Sequence, residues 1–244
     1  MIAAITAGGR VEGDLAEAFG TPVKALAPFR GGALVDAAIA SARACGARRV
    51  AVIGGDAVRR HCGARVDEVV PESADGRENI RKAIETGAGE ALLLMTSDMP
   101  FVTADALAAF LDAAAGGDVA LPLATADAYE RAYPGAPPHV TKLGRERVAN
   151  GSVVYFGPGV APRALDAAQK LFAARKSLVR MAALLGPALL ARFALGTLRI
   201  EHVEHRARTL LGVEARAVRD ASPALCFDVD TLADYRYALA YAGA

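Results

Sequence analysis

Residues 1–10, Met1-Ile2-Ala3-Ala4-Ile5-Thr6-Ala7-Gly8-Gly9-Arg10, decide how the chain is read. Ile2–Thr6 is a short run, apolar on both faces, that stops at a glycine pair. Such a run belongs in a sheet covered by helices on both sides. It has no basic stretch ahead of it and leads straight into the glycines, so it reads as a buried first strand and not as a signal peptide.

Working outward, the same pattern recurs at Arg49–Gly55, Ala91–Ser97 and Asp118–Pro122. Between these runs, the spacing of alanine and leucine predicts amphipathic helices over Ala33–Cys45, Arg77–Thr86 and Ala104–Ala115. Strand alternating with helix gives parallel βαβ units and an α/β fold with a mostly parallel central sheet. Thr125–Asn150 then lapses into a polar, proline-bearing stretch, longer than a plain connection requires and therefore a candidate functional loop. Ser152–Phe156 reads as a further strand. Pro162–Leu211 reads as helical, apart from a short strand at Thr197–Val203. A strand at Leu225–Asp230 and a helix at Leu232–Ala240 close the chain. No repeat or linker marks a boundary, so residues 1–244 are expected to form a single domain, with 162–211 a helical cap within it.

Composition narrows the partners. The 244 residues carry 28 basic and 27 acidic side chains, a formal net charge of +1. No overall field exists to recruit nucleic acid or an acidic membrane, and any bound anion must be caught by a local site. Cys45, Cys62 and Cys226 are odd in number and lack CxxC spacing, which speaks against a disulfide framework or zinc knuckle and points to a reducing cytoplasm. The longest apolar stretch, Met181–Gly196, is interrupted by Gly186-Pro187 and Arg192, too short and too broken to span a bilayer. Contact of that stretch with a membrane surface stays open.

The chemistry-bearing residues gather where strands end. Ala7-Gly8-Gly9-Arg10 leaves the first strand at the carboxyl edge of a parallel sheet, where open α/β folds bind ligands. Glycines there let backbone N–H groups approach phosphate, although a glycine pair is equally a tight turn. Lys24 lies shortly beyond and can neutralise phosphate charge; read alone, it is a surface lysine. Thr96-Ser97-Asp98-Met99-Pro100 places a carboxylate at the end of an apolar strand, suited to a hard cation or to a helix or turn cap, for which Thr103 also serves. In Phe227-Asp228-Val229-Asp230-Thr231, alternation puts Asp228 and Asp230 on one side of the chain. One of them can join Asp98 around a metal, while Asp230 or Thr231 can instead cap the last helix, with Asp234 following. Gly76 and Asn79 open a helix and can meet a base. Asn150-Gly151 can orient an acceptor or form a hairpin turn. Arg175 and Lys176 can grip an acceptor phosphate. His61, His139, His202 and His205 share no metal-ligand spacing.

Taken together, AGG after the first strand, Lys24 with Ala25-Leu26-Ala27-Pro28, SDMPF and FDVDTLADY resemble the MobA-like nucleotidyltransferases. The resemblance runs from the first strand to the last helix. It implies a GT-A type three-layer α/β/α fold, like that of the nucleotide-diphospho-sugar transferases. It also implies an enzyme that moves an NMP group from an NTP to a small phosphorylated acceptor with release of pyrophosphate. By motif position the triphosphate falls to Gly8, Gly9 and Lys24, and Mg2+ to Asp98 and Asp230, with Asp228 a further candidate. Ala7, Arg10, Gly76, Asn79 and Ser97 complete the nucleotide side, and Lys24 and Asp98 carry the catalysis. Asn150, Gly151, Arg175 and Lys176 are assigned to the acceptor. The loop departs from the family pattern: Arg10-Val11-Glu12-Gly13-Asp14-Leu15 follows AGG, so Arg10 stands in for the arginine that usually comes later. Two other functions stay in view, a GT-A glycosyltransferase using a nucleotide sugar and a non-catalytic nucleotide-binding module. A homodimer is a further expectation.

Overall fold

The structure, a computed structural model, describes residues 1–87, 89–174, 177, 180, 184 and 186–242. β1 (Ile2–Thr6) lies inside a nine-stranded sheet. A two-residue pair, β2 (Pro28–Phe29) with β3 (Gly32–Ala33), stands apart from it. β4 (Arg49–Gly54) and β6 (Leu92–Thr96) flank β1 in parallel, and β5 (Glu68–Pro71) lies parallel beyond β4. β7 (Val119–Thr125) is reached through β10 (Val153–Phe156), which runs antiparallel to both β6 and β7. β11 (Ala215–Val218) pairs parallel with β7, while β8 (Val140–Leu143) and β9 (Glu146–Asn150) form an antiparallel hairpin beside it.

Alternation along β1 shows how the layers arise. Ala3 and Ile5 enter one buried cluster, whereas Ile2 and Ala4 enter another. The first contains Leu34, Val35, Ala38 and Ile39 of α2 (Leu34–Ala44) and Leu107 and Phe110 of α5 (Ala104–Ala114). The second contains Ala83 and Ile84 of α4 (Gly76–Thr86) and Val160, Ala161 and Ala164 of α7 (Val160–Ala174). A sheet with apolar side chains on both faces must be covered twice, which gives the three-layer α/β/α architecture. The peripheral helices are α1 (Gly13–Phe19), α3 (Asp56–Cys62), α6 (Ala126–Ala132), α8 (Pro187–Ala194), α9 (Ile200–Leu211) and α10 (Leu232–Ala242). Among the described residues no helix is long and apolar enough to cross a membrane.

Three expectations need correction. Thr125–Asn150 is no loop: Thr125 Oγ1 accepts the Ala128 N–H at 3.2 Å and starts α6, and the β8–β9 hairpin turns through Gly144, whose φ is +61°. Thr197–Val203 is not a strand. The Arg199 N–H donates to His202 Nδ1 at 3.1 Å, and α9 begins at Ile200. Leu225–Asp230 joins no strand ladder. Ser222 caps a 3-10 turn over Pro223–Leu225, and the residues beyond it are held by packing: the Phe227 ring lies 4.8 Å from Phe101, 5.3 Å from Tyr133 and 5.8 Å from Tyr237. The apolar run was a sign of burial and not of pairing.

Candidate active site

The carboxyl ends of β1 and β6 open onto a cavity of about 660 Å³. At β1, the Ala7 N–H is used by the Ile53 carbonyl at 2.8 Å, but the N–H groups of Gly8 and Gly9 donate to nothing among the described residues. The loop is steadied instead by its bonds to the segment leading to Lys24: the Lys24 N–H donates to the Gly9 oxygen at 3.0 Å, and the Val11 N–H donates to the Pro22 oxygen at 3.0 Å. Pinning the lysine's backbone to the glycine loop is what brings its side chain to the cavity. Two consecutive unspent N–H groups beside a cavity are donors of the kind an anion can use.

Lys24 Nζ forms ion pairs with Asp98 and, at 2.6 Å, with Asp230 Oδ1. Burial would lower its pKa, but the attraction of Asp98 and then Asp230 holds it well above the usual lysine range. It is therefore cationic. Asp98 is buried, and its Oδ1 has no hydrogen-bond partner among the described residues. The competing use of Asp98 as a cap falls to Thr103, whose Oγ1 accepts the Ala106 N–H at 3.2 Å and starts α5. Similarly, Thr231 rather than Asp230 caps α10, and Asp234 completes the capping box. Asp234 Oδ2 accepts the Thr231 N–H at 2.7 Å, while the Asp234 N–H returns to Thr231 Oγ1 at 3.2 Å. Both Asp98 and Asp230 are thus released from structural duty. Asp98, Asp228 and Asp230 each bring one carboxylate oxygen within 4.8 Å of the others.

The remaining sequence candidates divide. Gly76, Asn79, Ser97 and Gly151 line the cavity with Gly8, Gly9 and Lys24. The Asn79 amide is already engaged, accepting the Ser73 N–H at 2.6 Å and donating to the Ser73 carbonyl at 2.9 Å. Arg10 forms an ion pair with Glu72, and the Glu72 carboxylate packs so closely on the loop that a Cβ on Gly8 would lie 2.6 Å from its Oε2. Asn150 is exposed and lies outside the cavity wall. Asn150-Gly151 is not the turn of a hairpin, since β9 pairs with Leu123–Thr125 of β7 and β10 with Val119–Ala120 of the same strand. Arg175 and Lys176 lie outside the described residues.

Four residues near the site escaped the sequence reading as members of it. Thr96 and Ser152 line the cavity, Glu72 packs on the glycine loop, and His139 lies between Asp228 and Asp234. Hydrogen bonds that His139 donates to Asp228 and then Asp234, partly opposed by burial, raise its pKa to about 9. Burial pushes the two carboxylates upward, but their hydrogen bonds to His139 prevail and hold both below the ordinary range. No local signal marked His139. It follows two prolines, and its partner Asp234 is 95 residues away.

A hypothetical transferase structure from Thermus thermophilus is 29% identical, covering 96% of this chain and 98% of that one with a TM-score of 0.84. CMP:2-keto-3-deoxy-manno-octonic acid synthetase complexed with CTP is 14% identical, covering 99% and 98% with a TM-score of 0.60. Rv0371c complexed with manganese, from Mycobacterium tuberculosis H37Rv, is 19% identical, covering 98% and 97% with a TM-score of 0.54. The last two share the fold at identities too low to carry more. No curated protein matches the chain. The model of the MobA-like NTP transferase domain matches residues 3–186, the part of the chain that holds the glycine loop, Lys24 and Asp98, and the chain therefore belongs to this nucleotidyltransferase family.

Proposed function

We propose that the chain is a Mg2+-dependent enzyme that transfers an NMP group from an NTP to a small phosphorylated acceptor. The observation that carries this reading is the meeting of Lys24 with Asp98 and Asp230 beside the free N–H groups of Gly8 and Gly9. In this reading an acceptor phosphate oxygen attacks the α-phosphorus. The bond from that phosphorus to the bridging oxygen breaks, and pyrophosphate leaves with the electron pair. Such chemistry asks for positioning and charge neutralisation, not for a protein nucleophile.

Gly8 and Gly9 hold the triphosphate, and Lys24 neutralises charge on the departing pyrophosphate. Gly76 and Ser97 flank the nucleoside, and Gly151 belongs to the acceptor side. The residues fit magnesium: a hard cation takes oxygen ligands, and Asp98 Oδ1 is a buried carboxylate oxygen without a partner among the described residues. Asp98 and Asp230 would hold the ion, which when bound supplies positive charge to the phosphate oxygens. The same reading takes residues 1–244 as one cytoplasmic domain that pairs as a homodimer.

Incubating the protein with each NTP, Mg2+ and a panel of sugar and polyol phosphates should release pyrophosphate with one pairing. Asp98→Asn should slow that release about 100-fold or more, the scale of losing one electrostatic stabiliser. NTP binding with no pyrophosphate from any acceptor would leave a non-catalytic module. Cleavage of a nucleotide sugar without NTP turnover would instead indicate a glycosyltransferase.

A further inference from the structure

His139 has no part in the chemistry just proposed, yet both its ring nitrogens are occupied within the site. Nδ1 lies 3.1 Å from Asp228 Oδ1, and Nε2 lies 2.9 Å from Asp234 Oδ1. The ring is packed between Phe227, at 5.2 Å, and Tyr129, at 5.9 Å between centroids. Each carboxylate uses its second oxygen as well. Asp228 Oδ2 accepts the Ser152 hydroxyl at 3.0 Å. Asp234 Oδ2 accepts the N–H of Asp230 at 3.1 Å and that of Thr231 at 2.7 Å, together with the Thr231 hydroxyl at 2.7 Å.

His139 therefore ties together two points of the chain that bracket Asp230. The bracketed segment has no strand ladder to hold it; across to the turn that follows β6 it has the Val229 N–H donating to the Asp98 carbonyl at 3.0 Å. We infer that His139 is a positioning residue: the Asp228–His139–Asp234 brace fixes the Asp230 carboxylate opposite Asp98, and it commits Asp228 to the brace rather than to the metal. The inference rests on the proposed use of Asp98 and Asp230 as metal ligands. It divides the three clustered carboxylates into two ligands and one support.

The test is Mn2+ binding, read by electron paramagnetic resonance of the free ion in the presence of a non-hydrolysable NTP analogue. Thermal melting is run alongside to confirm that each variant is folded. His139→Gln should weaken Mn2+ about 10-fold, the lower end of what loss of a ligand-orienting partner costs. Asp228→Asn should weaken it by a similar factor. The double variant should be no worse than either single one, because both cut the same brace. Asp98→Asn should abolish binding. A folded His139→Gln protein that binds Mn2+ like the wild type overturns the inference, as does an Asp228→Asn loss as complete as that of Asp98→Asn. If His139→Gln does not fold, the Asp228→Asn result decides by the same comparison. A wild-type protein that binds the analogue without Mn2+ overturns the metal reading itself, and with it this inference.

Discussion

Gly151 sits in the crook between β9 and β10, where a Cβ would lie 2.3 Å from Pro122 Cγ and 3.0 Å from the Leu225 carbonyl. The obstacle is a proline ring and backbone, neither able to swing aside. Gly151→Ala should therefore cost about 1–3 kcal/mol, seen as a lower midpoint in denaturant at unchanged slope. At Gly8 the nearest obstacle is the flexible end of Glu72, with the Asn79 amide next at 3.1 Å, so Gly8→Ala should lower the midpoint less than Gly151→Ala and weaken NTP binding, measured by titration calorimetry. His139 gives a pH signature. Its pKa rises from 6.5 to about 9, so its contribution to stability is complete below pH 6.5 and is lost as pH climbs through about 9. Asp228 and Asp234 are shifted the other way, and their share is lost only as pH falls below the ordinary carboxylate range. Melting temperature should accordingly hold between about pH 5 and 7 and fall toward pH 10, more steeply than in His139→Gln. Lys24, Asp98 and Asp230 were legible as residues because each stands beside a glycine loop or at the end of an apolar run. Their ion pairs were not, since Lys24 meets Asp230 across 206 positions of sequence.

Helix α6 shows what an element hides from a linear reading. Its seven residues lie between a strand and a proline-rich stretch, too short for periodicity to stand out, and Thr125 at its start was the available sign. The helix buries Tyr129, whose hydroxyl has no partner among the described residues. A buried hydroxyl without a hydrogen bond costs stability, so Tyr129→Phe should leave the melting temperature unchanged or raise it, by about 1 kcal/mol of stability. The central parallel strands were legible for the opposite reason. β1, β4 and β6 are apolar on both faces because both faces are covered, whereas β8 and β11 carry exposed or half-exposed residues and gave no such run. The Leu225–Asp230 stretch resembles a strand in composition because Leu225, Cys226, Phe227 and Val229 are buried, Phe227 against aromatic rings. Composition reports burial, but whether the buried backbone is paired depends on neighbours far away in sequence.

Over the whole molecule, two apolar clusters cover the sheet while the charges nearly cancel, so under the proposed function affinity for a phosphate ligand comes from local charge at the edge where the glycine loop, Lys24 and the aspartates meet. Thermal shift should follow that arrangement. An NTP with Mg2+ should stabilise the protein more than either alone, by about 2.7 kcal/mol at a hundredfold excess over Kd. Lys24 adds a consequence for the order of events. With its ammonium between Asp98 and Asp230, the resting site carries its own counter-ion and presents no bare acidic pair to stray divalent ions. The lysine has reason to leave the carboxylates only when a polyphosphate offers it a better partner. Under the proposed function, nucleotide and metal should therefore enter as one complex, and calcium or zinc added to the nucleotide-free protein should leave its melting temperature unchanged.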